Sequence, residues 1–279
     1  MPRHDSPFDS ASAKELQCVL DLIVEAGADE WPRYKLAEWL AHHDQPHKAE
    51  LLSLHLLLLA TCCHPDTFHP DRVQVQARLV ELLANGVRPC VPRQMIALAE
   101  AVDMTFAWIP PGMFLMGSPP SERERLDDET QHTVTLTCGF YLGVHPVTQA
   151  HWQAVMGNNP SHFKGDDRPV EAVSWDDCQA FCAKLGQLTG KRFRLPTEAE
   201  WEYACRAGTT TPFFFGDQIG MDQSDYALSH ILGRRREQST PVGSFPANAW
   251  GLLDMHGNYW HEPGYRNHIV GCRVVLCLD

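Results

Sequence analysis

Ten cysteines and a group of histidines carry the chemistry this chain could perform. Soft thiolates suit Cu(I). Cys178 and Cys182 stand one helical turn apart and so share a helix face. Phe181 and Leu185 lie on the same stripe, which reads as buried core. Cys272 and Cys277 are expected on opposite sides of a sheet, a geometry unsuited to a two-thiolate site. His42, His43, His47 and His55 surround Glu50. His43 and His47 have the one-turn spacing of metal ligands, but Pro46 lies between them and breaks a helix there. These histidines are expected to be solvated.

The elements that must position such residues are legible in part. The chain has 279 residues, 44% hydrophobic and 21% charged, enough to bury a core. Its net charge of −12 disfavours phosphate backbones as partners, so no nucleic acid is expected. Arg234, Arg235 and Arg236 read as a solvated loop. Residues 1–15 are polar and lack the apolar segment of a secretory leader. The longest apolar run, 51–60, is broken by Ser53 and His55 and is far shorter than the roughly 20 residues that span a bilayer. The expectation is a cytoplasmic protein with reduced thiols and no membrane partner. Helical stripes run over 16–26, 31–42, 49–60 and 73–85, with Gly86 at the end of the last. From residue 104 the period changes. Strands are predicted over 106–109, 113–116 and 133–137. Two capping boxes, Ser174 with Asp177 and Thr197 with Glu200, open helices that end near Gly190 and Gly208. Residues 209–254 read as loop with short strands, held by aromatics. The fold class is α+β, with a tail over 1–15, a helical module over 16–97 and a mixed domain over 98–279.

Two stretches are long and specific: Arg194-Leu-Pro-Thr-Glu-Ala-Glu-Trp-Glu-Tyr-Ala-Cys-Arg-Ala-Gly208 and Pro241-Val-Gly-Ser-Phe-Pro-Ala-Asn-Ala-Trp-Gly-Leu-Leu-Asp-Met-His-Gly-Asn258. With Trp108-Ile-Pro-Pro-Gly-Met-Phe-Leu-Met-Gly-Ser118 and Arg168-Pro-Val-Glu-Ala-Val-Ser-Trp-Asp-Asp177, they resemble the sulfatase-modifying-factor family of formylglycine-generating enzymes. The resemblance implies a fold related to C-type lectins. Most of the matched residues look structural: Trp175, Trp201, Tyr203 and Trp250 as core, Arg194 and Arg206 as braces. Residues 29–41, 46–52 and 81–86 resemble a small repeat-companion module.

What the family does is oxidise a substrate cysteine with oxygen, using copper held by a cysteine pair before a closing Gly-Phe-Arg. Here Gly271-Cys272-Arg273 resembles that closing segment. Between Trp260 and Gly271 there is no cysteine. Copper is therefore not expected, no catalytic residue is assigned, and the chain leans away from enzymatic activity. A related branch holds iron with histidines, which this histidine group does not match. Calcium is the cofactor the resemblance implies, at Asp254 with the carbonyls of Gly257 and Tyr259, and at Asp225 with the carbonyl of Tyr226. His261 stands where the first site would have a closing Glu. The expected function is a non-catalytic or catalytically impaired binding module for a protein or peptide ligand; the second expectation is an active copper- and oxygen-dependent oxidoreductase that converts a sulfatase cysteine to formylglycine. The chain also resembles the variable proteins of diversity-generating retroelements, whose closing strand looks like Arg273-Val-Val-Leu276. That likeness points to Tyr259, Tyr265, Arg266, Asn267 and His268 as ligand contacts. A third expectation is decay: a lost segment after Trp260 would leave apolar sheet edges exposed.

Overall fold

The computed structural model describes residues 10–61, 70–122, 125, 127, 129–220, 223–224, 239–256 and 271–278. Four helices come first: α1 Ser10–Ala26, α2 Trp31–His42, α3 Pro46–Thr61 and α4 Pro70–Ala84. Proline opens α3 and α4 and sits at the second position of α2. Its fixed φ suits a first turn, where its missing N–H loses no bond. Between α2 and α3 the chain reverses through Asp44 at φ 57°, so His43, which caps the end of α2, and His47, in the first turn of α3, do not share a helix.

Next come β1 Arg93–Ala99, β2 Val102–Ile109, β3 Gly112–Met116, β4 His132–Leu136 and β5 Phe140–Gly143. They are followed by α5 Gln149–Met156, α6 Trp175–Thr189, β6 Phe193–Arg194, α7 Glu198–Arg206 and β7 Val275–Leu276. Five strands form an antiparallel sheet in the order β1-β2-β5-β7-β6, and β3 pairs with β4 apart from it. The last strand of the chain thus enters the sheet between β5 and β6. Val274, Val275 and Leu276 are at most 2% exposed. Among the described residues the closing strand is interior.

Side chains on a strand alternate between faces, and here each face has its own core. Phe106 and Trp108 of β2 join Tyr141 and Leu276 in one cluster with α1, α2, α5 and α6. Ala107 and Ile109 join Leu142 and Val275 in the other, with β3, α4 and α7. Helix α3 serves both, through Leu52 and Leu56 on one side and Leu51 and Leu58 on the other. The N-terminal helices therefore share both cores with the sheet.

Both capping boxes form. Ser174 Oγ accepts from Asp177 N at 3.1 Å, and Asp177 Oδ2 accepts from Ser174 N at 2.8 Å. Thr197 and Glu200 repeat the exchange at 3.2 and 2.8 Å. At the end of α7 it is Ala207, at φ 47°, that turns left-handed before Gly208. Trp175, expected in the core, is 38% exposed at the first position of α6. Among the described residues, 209–254 form no strand beyond one isolated bridge, Phe213 to Gly216. Asn248, fully buried, organises that stretch. Its Nδ2 donates to Ala204 O at 2.7 Å, and its Oδ1 accepts from Trp250 N and Leu252 N at 3.0 and 3.2 Å.

Candidate functional site

The region where the family would act lies between two fixed points, the turn at Asp254 and the closing segment at Gly271. Arg273 ties them together. Its side chain is 5% exposed, donating from Nη1 to Gly143 O at 2.7 Å and from Nη2 to Leu253 O at 2.5 Å and Asp254 O at 3.2 Å. Burial lowers its pKa to about 10, against the pull of the nearby Asp254 carboxylate. Asp254 is left-handed at φ 54°, and its Oδ2 accepts from Gly243 N at 2.6 Å. A buried guanidinium can remain charged only where oxygens surround it; these carbonyls and Asp254 do so. Of the residues expected at the calcium sites, Asp254 alone is described. Asp225, Tyr226, Gly257 and Tyr259 lie outside the described residues, as do the expected ligand contacts Tyr265, Arg266, Asn267 and His268.

Among the described residues the cysteines do not assemble a thiolate site. Cys178, Cys182 and Cys272 are buried together in one core cluster. A hydrogen bond with Cys178, with burial behind it, holds the Cys272 thiol well above its ordinary pKa. Burial, reinforced by Cys178 and Cys277, pushes Cys182 up to about 12. Cys272 precedes β7 rather than belonging to it, so strand alternation does not govern its relation to Cys277. The two differ in burial, Cys277 being part-exposed. Thiols held protonated are poor nucleophiles and poor metal ligands. Among the described residues no group of three or more His, Cys, Asp or Glu side chains converges to hold a metal ion.

The histidines correct one expectation. His42 and His47 are exposed, and His43 stacks on Trp39 with ring centroids 3.8 Å apart. His55, expected in solvent, is 1% exposed and meets Trp250 edge to face at 4.2 Å. Burial, with Arg33 nearby, lowers its pKa to about 3. The sequence signal was present: His55 sits among leucines on a stripe that helix α3 turns inward.

Two more imidazoles, His151 buried and His256 part-buried, escaped the sequence reading. His151 closes the capping box of α5: its Nδ1 accepts from Thr148 N at 3.2 Å while its Nε2 donates to Asp103 O at 3.1 Å. Burial and His145 lower its pKa to about 4. His256 lies among Phe213, Phe214 and Phe215, with both ring nitrogens 3.8 Å from Cys205 Sγ. A Cys–His pair can form a nucleophile only as thiolate and imidazolium. Here burial raises Cys205 to about 12, and burial with Arg206 nearby lowers His256 to about 4. Both partners are neutral.

The remaining family motifs are braces. Arg194 pairs with both oxygens of Glu200 at 2.6 Å, and Arg206 reaches Glu202 at 2.7 Å and Gly117 O at 2.9 Å. Gly117, at φ 91°, admits no side chain, since a Cβ would lie 2.9 Å from the carbonyls of Glu129 and Thr130.

Fold and braces together define a formylglycine-generating-enzyme-like domain of the C-type-lectin-like kind, preceded by helices. A family model of the sulfatase-modifying factor enzyme 1-like domain matches residues 97–266, and the chain belongs to that family. It is 39% identical over 124 residues to the formylglycine-generating enzyme of Mycobacterium tuberculosis, covering 41% of this chain and 39% of that protein. It is 31% identical over 142 residues to the inactive C-alpha-formylglycine-generating enzyme 2 of Bos taurus, covering 48% of this chain and 45% of that protein. The chain thus spans less than half the length of either. The solved structure of Treponema denticola variable protein 1 shares the fold with a TM-score of 0.56 at 21% identity, over 66% of this chain and 98% of that one.

Proposed function

We propose that this chain is a non-catalytic or impaired member of its family that binds a protein or peptide ligand. The observation that carries the reading is the segment between Trp260 and Gly271. It contains no cysteine, and both its flanks are tied by Arg273 to Leu253, Asp254 and Gly143. Cys272 itself is buried, with its thiol hydrogen bonded to Cys178. The relative from Bos taurus, named as inactive, supports the idea that such a scaffold outlives the reaction. The runner-up is an active copper- and oxygen-dependent oxidoreductase. Incubation with a Cys-x-Pro-x-Arg peptide, Cu(I) and oxygen decides between them by mass spectrometry. The expected result is an unchanged peptide; conversion of its cysteine to an aldehyde sinks the proposal.

The ligand contacts we propose are Tyr259, Tyr265, Arg266, Asn267 and His268, between the two tied ends. A variable protein of a diversity-generating retroelement would use the same segment, and a template repeat beside the gene would be its mark. For calcium, the described part of the site offers a carboxylate already accepting from Gly243 and neighbouring the Arg273 cation. A divalent ion prefers six to eight oxygens, so binding in the millimolar range is proposed. At about 1 mM it would raise Tm by only about 1–2 °C. A shift above about 5 °C would point to an intact high-affinity site instead.

A further inference from the structure

Where the helices meet the sheet, α1, α2, α3, β2 and the Trp250 loop line a partly open chamber of about 20 Å³. One water centre needs roughly 10–15 Å³ by this measure, so the chamber has room for one water and little more. Arg33, His55, Trp108 and Trp250 all line it. Each is buried, at 6%, 1%, 2% and 3% exposure. Each also carries one buried nitrogen without a hydrogen-bond partner in the protein: Arg33 Nε, His55 Nε2, Trp108 Nε1 and Trp250 Nε1. A buried donor or acceptor left unsatisfied forfeits its hydration with nothing in exchange. Four around one chamber are a concentration that calls for a ligand.

The protons identify it. The guanidinium and the two indoles can only donate. His55 hydrogen bonds the backbone of Ala207 in the sense that favours its proton, which is donation to the carbonyl. That bond fixes the proton on Nδ1 and leaves Nε2 a bare acceptor. The residues lining the chamber therefore carry three unpartnered N–H donors and one lone pair, and no carboxylate lines it. A monatomic anion would satisfy the donors but face the imidazole lone pair. A dry chamber would satisfy none of them. A molecule of one heavy atom that both donates and accepts can serve the His55 lone pair and two of the three donors at once, which neither an anion nor a dry chamber can.

We propose that this chamber is a binding site for one long-lived buried water, which donates to His55 Nε2 and accepts from two of the three N–H groups. It would tie α2 and α3, through Arg33 and His55, to β2 and the Trp250 loop, and so join the helical layer to the sheet by hydrogen bonds as well as by packing.

The test uses the full chain with tryptophan labelled at the indole nitrogen. Trp108→Phe and Trp250→Phe assign the two indole signals. The expected result is direct cross-relaxation from both indole protons to a water that exchanges slowly with bulk. Three results overturn the proposal: no such cross-peak at either indole, indole shifts that titrate with bromide in place of acetate, or shifts that saturate under xenon. Bromide dependence would make the chamber an anion site, and xenon binding would make it a dry cavity. If neither variant folds, a high-resolution crystal structure of the unaltered chain serves. It must show a fully occupied water within about 3.2 Å of His55 Nε2, and density for a halide or for nothing refutes the proposal.

Discussion

At the scale of single residues, burial decides the chemistry more than residue type does. Cys182, Cys205 and Cys272 are thiols by composition and core by environment, and the buried histidines are held neutral in the same way. This has a consequence for acid stability. An unfolded imidazole titrates near pH 6.5, whereas His55 and His151 hold out to about 3 and about 4. Between those values the unfolded chain binds protons that the folded one refuses. Stability is therefore complete above about pH 6.5 and falls as the pH drops through it, by about 1.4 kcal/mol per unit per imidazole. At pH 5 each should have cost roughly 2 kcal/mol. Urea midpoints at pH 7.5 and 5.0 measure the loss, and a flat profile contradicts it. His151→Gln keeps a side-chain acceptor for the Thr148 amide and should remove one share of the slope.

At the scale of elements, the local signals were legible and the long-range ones were not. The two capping boxes could be read because Ser174 with Asp177, and Thr197 with Glu200, are three residues apart and need nothing else. Replacing Ser174 or Thr197 by Ala should cost about 1 kcal/mol each, read as a shift in denaturant midpoint at unchanged m. No shift would mean that packing alone holds α6 and α7. Helix α5 went unread because its box uses His151 where Glu or Gln is the usual signal. Strand β1 went unread because Arg93-Gln-Met-Ile-Ala-Leu-Ala99 acquires its two sides only from β2 and the helices. The stretch after α7 was readable as loop, but its order comes from Asn248 and Arg273, whose partners are remote in sequence. Of the expected site residues, Asp254 alone can be compared with the structure. It was named for calcium, and the structure adds the Arg273 partnership that the sequence could not show.

At the scale of the whole molecule, the reading of residues 16–97 as a separate module meets a specific physical objection. Leu36, Leu40, Leu52 and Leu56 share a core with Phe106, Trp108 and Tyr141, while Leu51, Leu58, Leu79 and Leu83 share the other with Ile109, Leu142 and Trp250. Removing the helices would uncover one sheet face and part of the second. Each large side chain returned to water costs about 1.5–3 kcal/mol, and a domain has only about 5–15 kcal/mol to lose. Loss of three or four such burials is enough to unfold it. A fragment spanning 91–279 should therefore be insoluble or bind hydrophobic dye without a cooperative thermal transition, while the full chain unfolds in one step. Residues 97–266 carry the family pattern, so the sequence pattern and the folding unit would then have different boundaries. A soluble 91–279 fragment with a sharp transition would instead show that the helices are an added layer, and that the hydrogen-bonded chamber at Arg33 and His55 is a joint the domain can do without.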